Sequence, residues 1–265
     1  MNRNKEQMLD FLVKAFIADS DNYKNMEIPE DETQKKVVLR SLMNIRIPRK
    51  MDDEVLKVQD EYLKLCAEEK EIVELKDIPI IKDVFSIWQG DITRLKVDTI
   101  VNAANSIMLG CWAPMHLCID NQIHTFAGIQ LRAECNEKMQ ELKKKYGQDY
   151  EQPTAVPMLT DAYNLPSKKV IHIVGPIVYG ELTEKLEKEL ADCYEKTLDM
   201  CLENELKTVA FCCISTGEFR FPKERAAEIA IDTTKKWVLE HPLAMDRIIF
   251  NVFKDEDKKY YEKMI

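Results

Sequence analysis

Glycine is scarce in this sequence, with seven in 265 residues and none before Gly90. Histidine is scarcer, with four, the first at His116. Residues 1 to about 80 therefore contain neither, which removes glycine turns from that stretch and leaves it to helices. Positive charge is also in deficit: 38 Lys and Arg face 47 Asp and Glu, for a net charge of −9. No basic field exists to gather nucleic acid or an anionic membrane. Nothing at the start resembles a signal peptide, because Lys5, Glu6, Asp10, Lys14 and Asp19 interrupt the apolar residues. The expected location is the cytoplasm. The uncharged stretch Thr99 to Ile119 contains Asn102, Asn105, Pro114 and His116, so it reads as protein interior and not as a membrane span. Neither Gly-x-Gly-x-x-Gly after a strand nor a Walker loop is present. The eight cysteines are too dilute for a disulfide scaffold and are expected to be thiols in a reducing compartment.

What is present is the composition of a folded protein, 45% apolar and 32% charged, long enough for one to two domains. Met8, Leu12, Ala15 and Phe16, then Val37, Val38 and Leu42, then Val55, Val58, Tyr62 and Leu65 recur at helical spacing. Pro29 and Pro48 separate the three segments, and acidic residues open the second and third, the sign that suits a helix N-terminus. The pattern predicts a helical N-terminal extension over residues 1–80 whose apolar stripes pack on the rest of the protein. Over 81–265, short apolar runs alternate with longer amphipathic ones, the mark of an α/β fold with a mainly parallel or mixed sheet and helices on its faces. Expected strands are Val84–Trp88, Thr99–Asn102, Ala155–Leu159, Val170–Val174, Thr208–Cys212 and Ile248–Val252. Helices are expected at Ile119–Lys145, Leu182–Glu203, Pro222–Glu240 and Asp255–Met264.

Ligands in open α/β sheets bind beyond the carboxyl ends of the strands. Three loops there carry chemistry: Gln89–Thr93, Val101–Asn105 running on to Gly110, and Ile214–Pro222 opening a helix. Small hydroxyl residues, glycine and a helix N-terminus can hold phosphate on backbone N–H groups without Lys or Arg, which suits an acidic protein. Between Gly110 and Asn121 lie Cys111, His116 and Cys118, two thiols and an imidazole within eight residues. Such a set can hold a tetrahedral zinc ion with the fourth position open. The spacing Cys-x4-His-x-Cys is not that of a zinc finger, so spacing alone leaves zinc level with two buried thiols beside an incidental histidine. His124 and His172 read as hydrogen-bonded histidines of the core.

Gly-Asp-Ile-Thr at 90–93, Val-Asn-Ala-Ala-Asn-Ser at 101–106, Tyr-Asn-Leu-Pro at 163–166, Val-Ile-His-Ile-Val-Gly-Pro at 170–176 and Ile-Ser-Thr-Gly at 214–217 resemble, in that order, the macrodomain family. The segment Gly110–Asn121 is similar to the family's zinc-containing branch. The resemblance covers about residues 81–253 and implies a three-layer α/β/α fold with a central mixed sheet, preceded by a helical N-terminal extension. It implies an ADP-ribose site as well. Asp91 would accept from the adenine amine, with Ile92 alongside; Asn105 would face the distal ribose; and Ser215, Thr216, Gly217, Glu218 and Phe219 would wrap the diphosphate, with Phe219 or Phe221 as an apolar wall. Cys111, His116 and Cys118 would bind zinc, while Ile119, Asp120 and Asn121 would follow as ligand contacts, Cys118 doubling as one. Asn102 reads as structural. Ala155 and Ile173 depart from the family's usual residues and supply no catalytic group.

The activity this implies is zinc-dependent hydrolysis of mono-ADP-ribose from acidic side chains of modified proteins, with Asn105 and Asp120 holding the sugar and nucleophile in line. A non-catalytic reader of ADP-ribosylated protein is the alternative, and a phosphatase acting on an ADP-ribose phosphoester a third reading. The resemblance also implies a sirtuin-like ADP-ribosyltransferase and a lipoyl carrier protein as functional partners.

Overall fold

The computed structural model describes residues 3–265. Its first part is three helices, α1 (Lys5–Asp19), α2 (Glu32–Ile45) and α3 (Asp53–Glu69). Each begins on a side chain that accepts from the first turn: Asn4 in a capping box with Gln7, then Asp31 and Asp52. The three apolar stripes close mainly on one another. Leu12, Val13, Phe16, Leu39, Leu42, Val58 and Leu63 form a cluster of their own, with Ile129 packed against it. That differs from the expected packing onto the remainder, to which the polar side chains of Arg40, Asn44, Gln59 and Lys70 reach across.

The chain continues through β1 (Val73–Glu74), β2 (Phe85–Gln89), β3 (Leu95–Lys96), β4 (Thr99–Ala104), α4 (Ile119–Ala127) and α5 (Ile129–Tyr146). It then runs through β5 (Met158–Asp161), β6 (Lys169–Val174), α6 (Glu184–Glu203), β7 (Thr208–Phe211), α7 (Lys223–Glu240), β8 (Arg247–Val252) and α8 (Asp255–Met264). Six strands form the central sheet in the order β2-β8-β7-β4-β6-β5, and β5 alone runs antiparallel to its neighbour. The sheet is thus mixed, with α4 and α5 packed together beside β4 and β5, and α6, α7 and α8 forming the other helical group. β4 and β7 are buried almost throughout, the pattern of strands covered on both faces. β1 and β3 make a separate two-residue pairing, too short to show in the periodicity.

Most element ends fall within two residues of expectation, and two depart further. The helix expected over Ile119–Lys145 is broken at Gly128, whose φ of +97° ends α4 and starts α5; a Cβ there would meet the side chains of Gln59, Gln130 and Asn164. The strand expected from Ala155 begins at Met158, because Ala155 sits in a turn with φ of 60°. No helix among the described residues is long and apolar enough to cross a membrane.

Candidate metal and ligand site

Because β2, β8, β7, β4 and β6 are parallel, their carboxyl ends share one edge of the sheet. β4 lies between β6 and β7, so the chain leaves it on one side and later returns on the other, which opens a crevice at that edge. The loops after β4 and β7 meet there: His116 Nε2 lies 4.0 Å from Glu218 Oε1. The end of β6 closes on the same loop, since a Cβ at Gly175 would lie 2.1 Å from Ser215 Oγ. Only glycine fits that approach.

Cys111, His116 and Cys118 come together with their ligating atoms within 4.8 Å of one another, all partly exposed. Cys111 Sγ and His116 Nδ1 are 3.7 Å apart. Tetrahedral zinc, with bonds of about 2.0–2.3 Å, sets its donors about 3.5–3.8 Å apart, so the donor set fits this ion. Cys118 is also the N-cap of α4, its sulfur accepting from the Asn121 amide at 3.4 Å. Burial, against that hydrogen bond, pushes its thiol up to about 12. Binding a metal would therefore displace a proton.

Beneath this loop lies a polar network. Asn102, wholly buried, donates through Nδ2 to Asp120 Oδ1 at 2.7 Å and to His172 Nδ1 at 3.0 Å. Asn105 donates to Gly110 O at 3.2 Å and to Asp120 Oδ2 at 3.4 Å, while its Oδ1 accepts from the Ile107 amide. Asp120 is buried, and burial raises its carboxyl to about 6 despite the Asn102 bond and the Arg132 charge. Its Oδ2 holds the Asn105 amide from inside the fold. Asn121 is 0% exposed, and its side-chain amide donates to Ala113 O and accepts from Arg40. Ile119 opens α4 beside them and is half-buried.

A second group of metal-binding residue types, His124, Cys135 and His172, is fully buried within the same 4.8 Å span. Of the three, His172 is already committed. The Asn102 amide nitrogen faces a carboxylate, so it is the donor to His172 Nδ1 as well, and His172 Nε2 carries the hydrogen directed at Thr160 Oγ1, 3.0 Å away. Burial, with the Lys138 charge, lowers His172 to about 3. His124 differs from the expected hydrogen-bonded core histidine: both of its ring nitrogens are buried without a hydrogen-bond partner, and its ring lies against Gly110.

Asp91, after β2, caps a single helical turn at Ile92–Arg94 and binds the Thr93 amide and hydroxyl through Oδ1. Its Oδ2 meets Lys70 Nζ at 3.0 Å. Burial pushes the carboxyl up, but the Thr93 and Lys70 contacts prevail and hold it below the ordinary carboxylate range. Ile92 is buried in the core. In the loop after β7, Phe221 N donates to Ser215 O and Val178 N to Phe219 O. Phe221 is buried in the core, which leaves Phe219 as the candidate wall. Ser215 has φ of 64° and a buried hydroxyl without a partner. The turns use the amides of Thr216, Arg220 and Phe221, leaving those of Gly217, Glu218 and Phe219 for an anion.

Three cations that the sequence did not single out shape this site. Arg132, 4% exposed, donates to the carbonyls of Met43, Asn44 and Arg46 at the end of α2 and of Leu109 in the β4 loop. A buried guanidinium suits carbonyls that a helix end leaves without partners. Arg40 binds His116 O, and Lys70 sits 3.2 Å from the centre of the Phe126 ring while paired with Asp91. On the helical pattern each of them passes for a solvated charge.

Fold and loops together define a mixed-sheet α/β module whose crevice sets unused backbone amides beside a Cys-His-Cys set. The Macro domain model matches residues 101–230. The chain is 46% identical to a protein-ADP-ribose hydrolase of Treponema medium, over 96% of this chain and 97% of that one. It is 37% identical to a protein-ADP-ribose hydrolase of Staphylococcus aureus (strain MSSA476), over 98% and 96%. A crystal structure of the Trypanosoma brucei macrodomain in complex with ADP-ribose superposes with a TM-score of 0.64 at 26% identity, covering 89% of this chain and 96% of that one. The chain belongs to the macrodomain family.

Proposed function

We propose that this protein removes ADP-ribose from modified proteins, that the bond cleaved joins the distal-ribose anomeric carbon to an acidic side chain, and that zinc is required. The observation that carries this reading is the Cys111–His116–Cys118 set, held at the crevice edge 4.0 Å from the Glu218 carboxylate of the loop after β7. Similarity to the two hydrolases over nearly the whole chain supports the reaction class.

The residues divide the work. Asp91 has acceptor capacity left for an exocyclic adenine amine. The free amides of Gly217, Glu218 and Phe219 receive the diphosphate. Asn105 Oδ1 spends one lone pair on Ile107 N and keeps the other for a ribose hydroxyl, while Asp120 holds the Asn105 amide. Cys111, His116 and Cys118 would hold zinc, which when bound supplies Lewis-acid polarisation at the distal-ribose end. A carboxylate is a fair leaving group, so orientation plus polarisation suffices without a covalent intermediate. A sirtuin-like ADP-ribosyltransferase and a lipoyl carrier protein enter this reading as functional partners.

Release of free ADP-ribose from acceptors carrying it on carboxylates, with and without a chelator, tests the proposal. Release that stops on chelation is the expected result. Tight binding without release leaves the non-catalytic reader, and release indifferent to chelation removes zinc from the account.

A further inference from the structure

The loop carrying the metal donors has no helix or strand from Asn105 until α4 begins at Ile119, so side chains must set its shape. Those that do so come in part from α2. Arg40 Nη2 donates to His116 O and to Asn121 Oδ1, each at 2.8 Å, across 76 and 81 residues of sequence. One turn further along, Asn44 Oδ1 accepts from the amide of Met115, a residue held at φ of 60°. Asn121 relays the grip: its Nδ2 reaches Ala113 O at 2.9 Å and Cys111 O at 3.5 Å, and its backbone amide reaches Cys118 Sγ.

We propose that Arg40 is a positioning residue for the metal site, holding the His116 carbonyl and the Asn121 amide together so that the three donors converge before the ion arrives. Every donor is then tied to this pair: His116 by its own carbonyl, Cys111 and Cys118 through Asn121. Arg40 Nε is buried with no partner, a cost that the loop contacts must offset and one that a solvated arginine would not incur. A single nitrogen serving two acceptors fixes an angle between them, which a flexible ammonium does not. The extension thereby acts on the site as well as on the fold. The proposal rests on the metal reading above.

Cobalt(II), used alone as the probe on the full chain, separates the possibilities. Arg40→Ala is expected to weaken cobalt binding about 10- to 100-fold, as loss of a supporting contact does at other metal sites, and to shift the thiolate charge-transfer and d–d bands. Arg40→Lys, which keeps the charge and a single donor nitrogen but not the planar fork, is expected to recover part of both. Unchanged affinity and bands, with only a lowered melting temperature, overturn the proposal. Should Arg40→Ala fail to fold, Arg40→Lys decides: weaker binding with shifted bands supports the proposal, and parent-like behaviour overturns it. A parent chain that takes up no cobalt overturns the metal reading and this proposal with it.

Discussion

Two groups of histidine and cysteine, each with its ligating atoms within 4.8 Å of one another, differ in exposure and in what those atoms are free to do. Cys111, His116 and Cys118 are partly exposed on an irregular loop, where solvent and an ion can reach them. His124, Cys135 and His172 are buried, and His172 is spent on Asn102 and Thr160. Proximity of donors is thus a weak criterion for a metal site; uncommitted lone pairs and a way in are the stronger one.

The sharpest way to break this contrast is to exchange the fates of the two groups. His116→Ala should abolish metal uptake and lower ADP-ribose release by about 100-fold or more, beyond what loss of a supporting contact costs. Cys135→Ala should leave both unchanged. Metal analysis and a release assay on the two variants check this, and the opposite assignment would be fatal to the contrast.

Acid is the next lever. His172 is held neutral by burial near 3, while in the unfolded chain it titrates near 6.5. The unfolded state therefore takes up the proton first as pH falls, so this contribution to stability is whole above about 6.5 and declines by about 1.4 kcal/mol per pH unit toward 3. Urea unfolding at about pH 7 and about pH 5 should show His172→Gln losing less stability than the parent over that interval. Equal losses would mean His172 is not shielded.

Smaller effects complete the series. Cys135→Ala should cost about 1–2 kcal/mol of unfolding free energy, the usual scale for emptying a buried site. Lys70→Ala, outside both groups, should change stability by less than about 1 kcal/mol, because the pair with Asp91 is about a third exposed. Its effect should instead be a rise of the Asp91 carboxyl toward the ordinary range, measurable by NMR titration.

Much of this was legible in the chain. The six strands of the central sheet, the three N-terminal helices and the loops at 89–93, 101–105 and 214–222 follow from local periodicity and turn chemistry, which neighbours in sequence control. The misjudged parts share a cause. Gly128 breaks a helix whose pattern runs on through it, because Gln59 and Asn164 crowd the position from elsewhere in the chain. His124 reads as a hydrogen-bonded core histidine, yet the fold leaves both of its ring nitrogens without a hydrogen-bond partner. Phe219 and Phe221 are equivalent in the string, and burial separates them.

Local order along the chain was enough to specify which residues could bind an anion or a metal, since the three donors lie within eight positions on one loop. It could not say which lone pairs stay free. Hydrogen-bond commitment and burial depend on partners brought in by the fold: Asn102 and Thr160 upon His172, Arg40 upon the metal loop, Lys70 upon Asp91. Those contacts bridge from 12 to 76 residues, a range over which sequence periodicity carries no register.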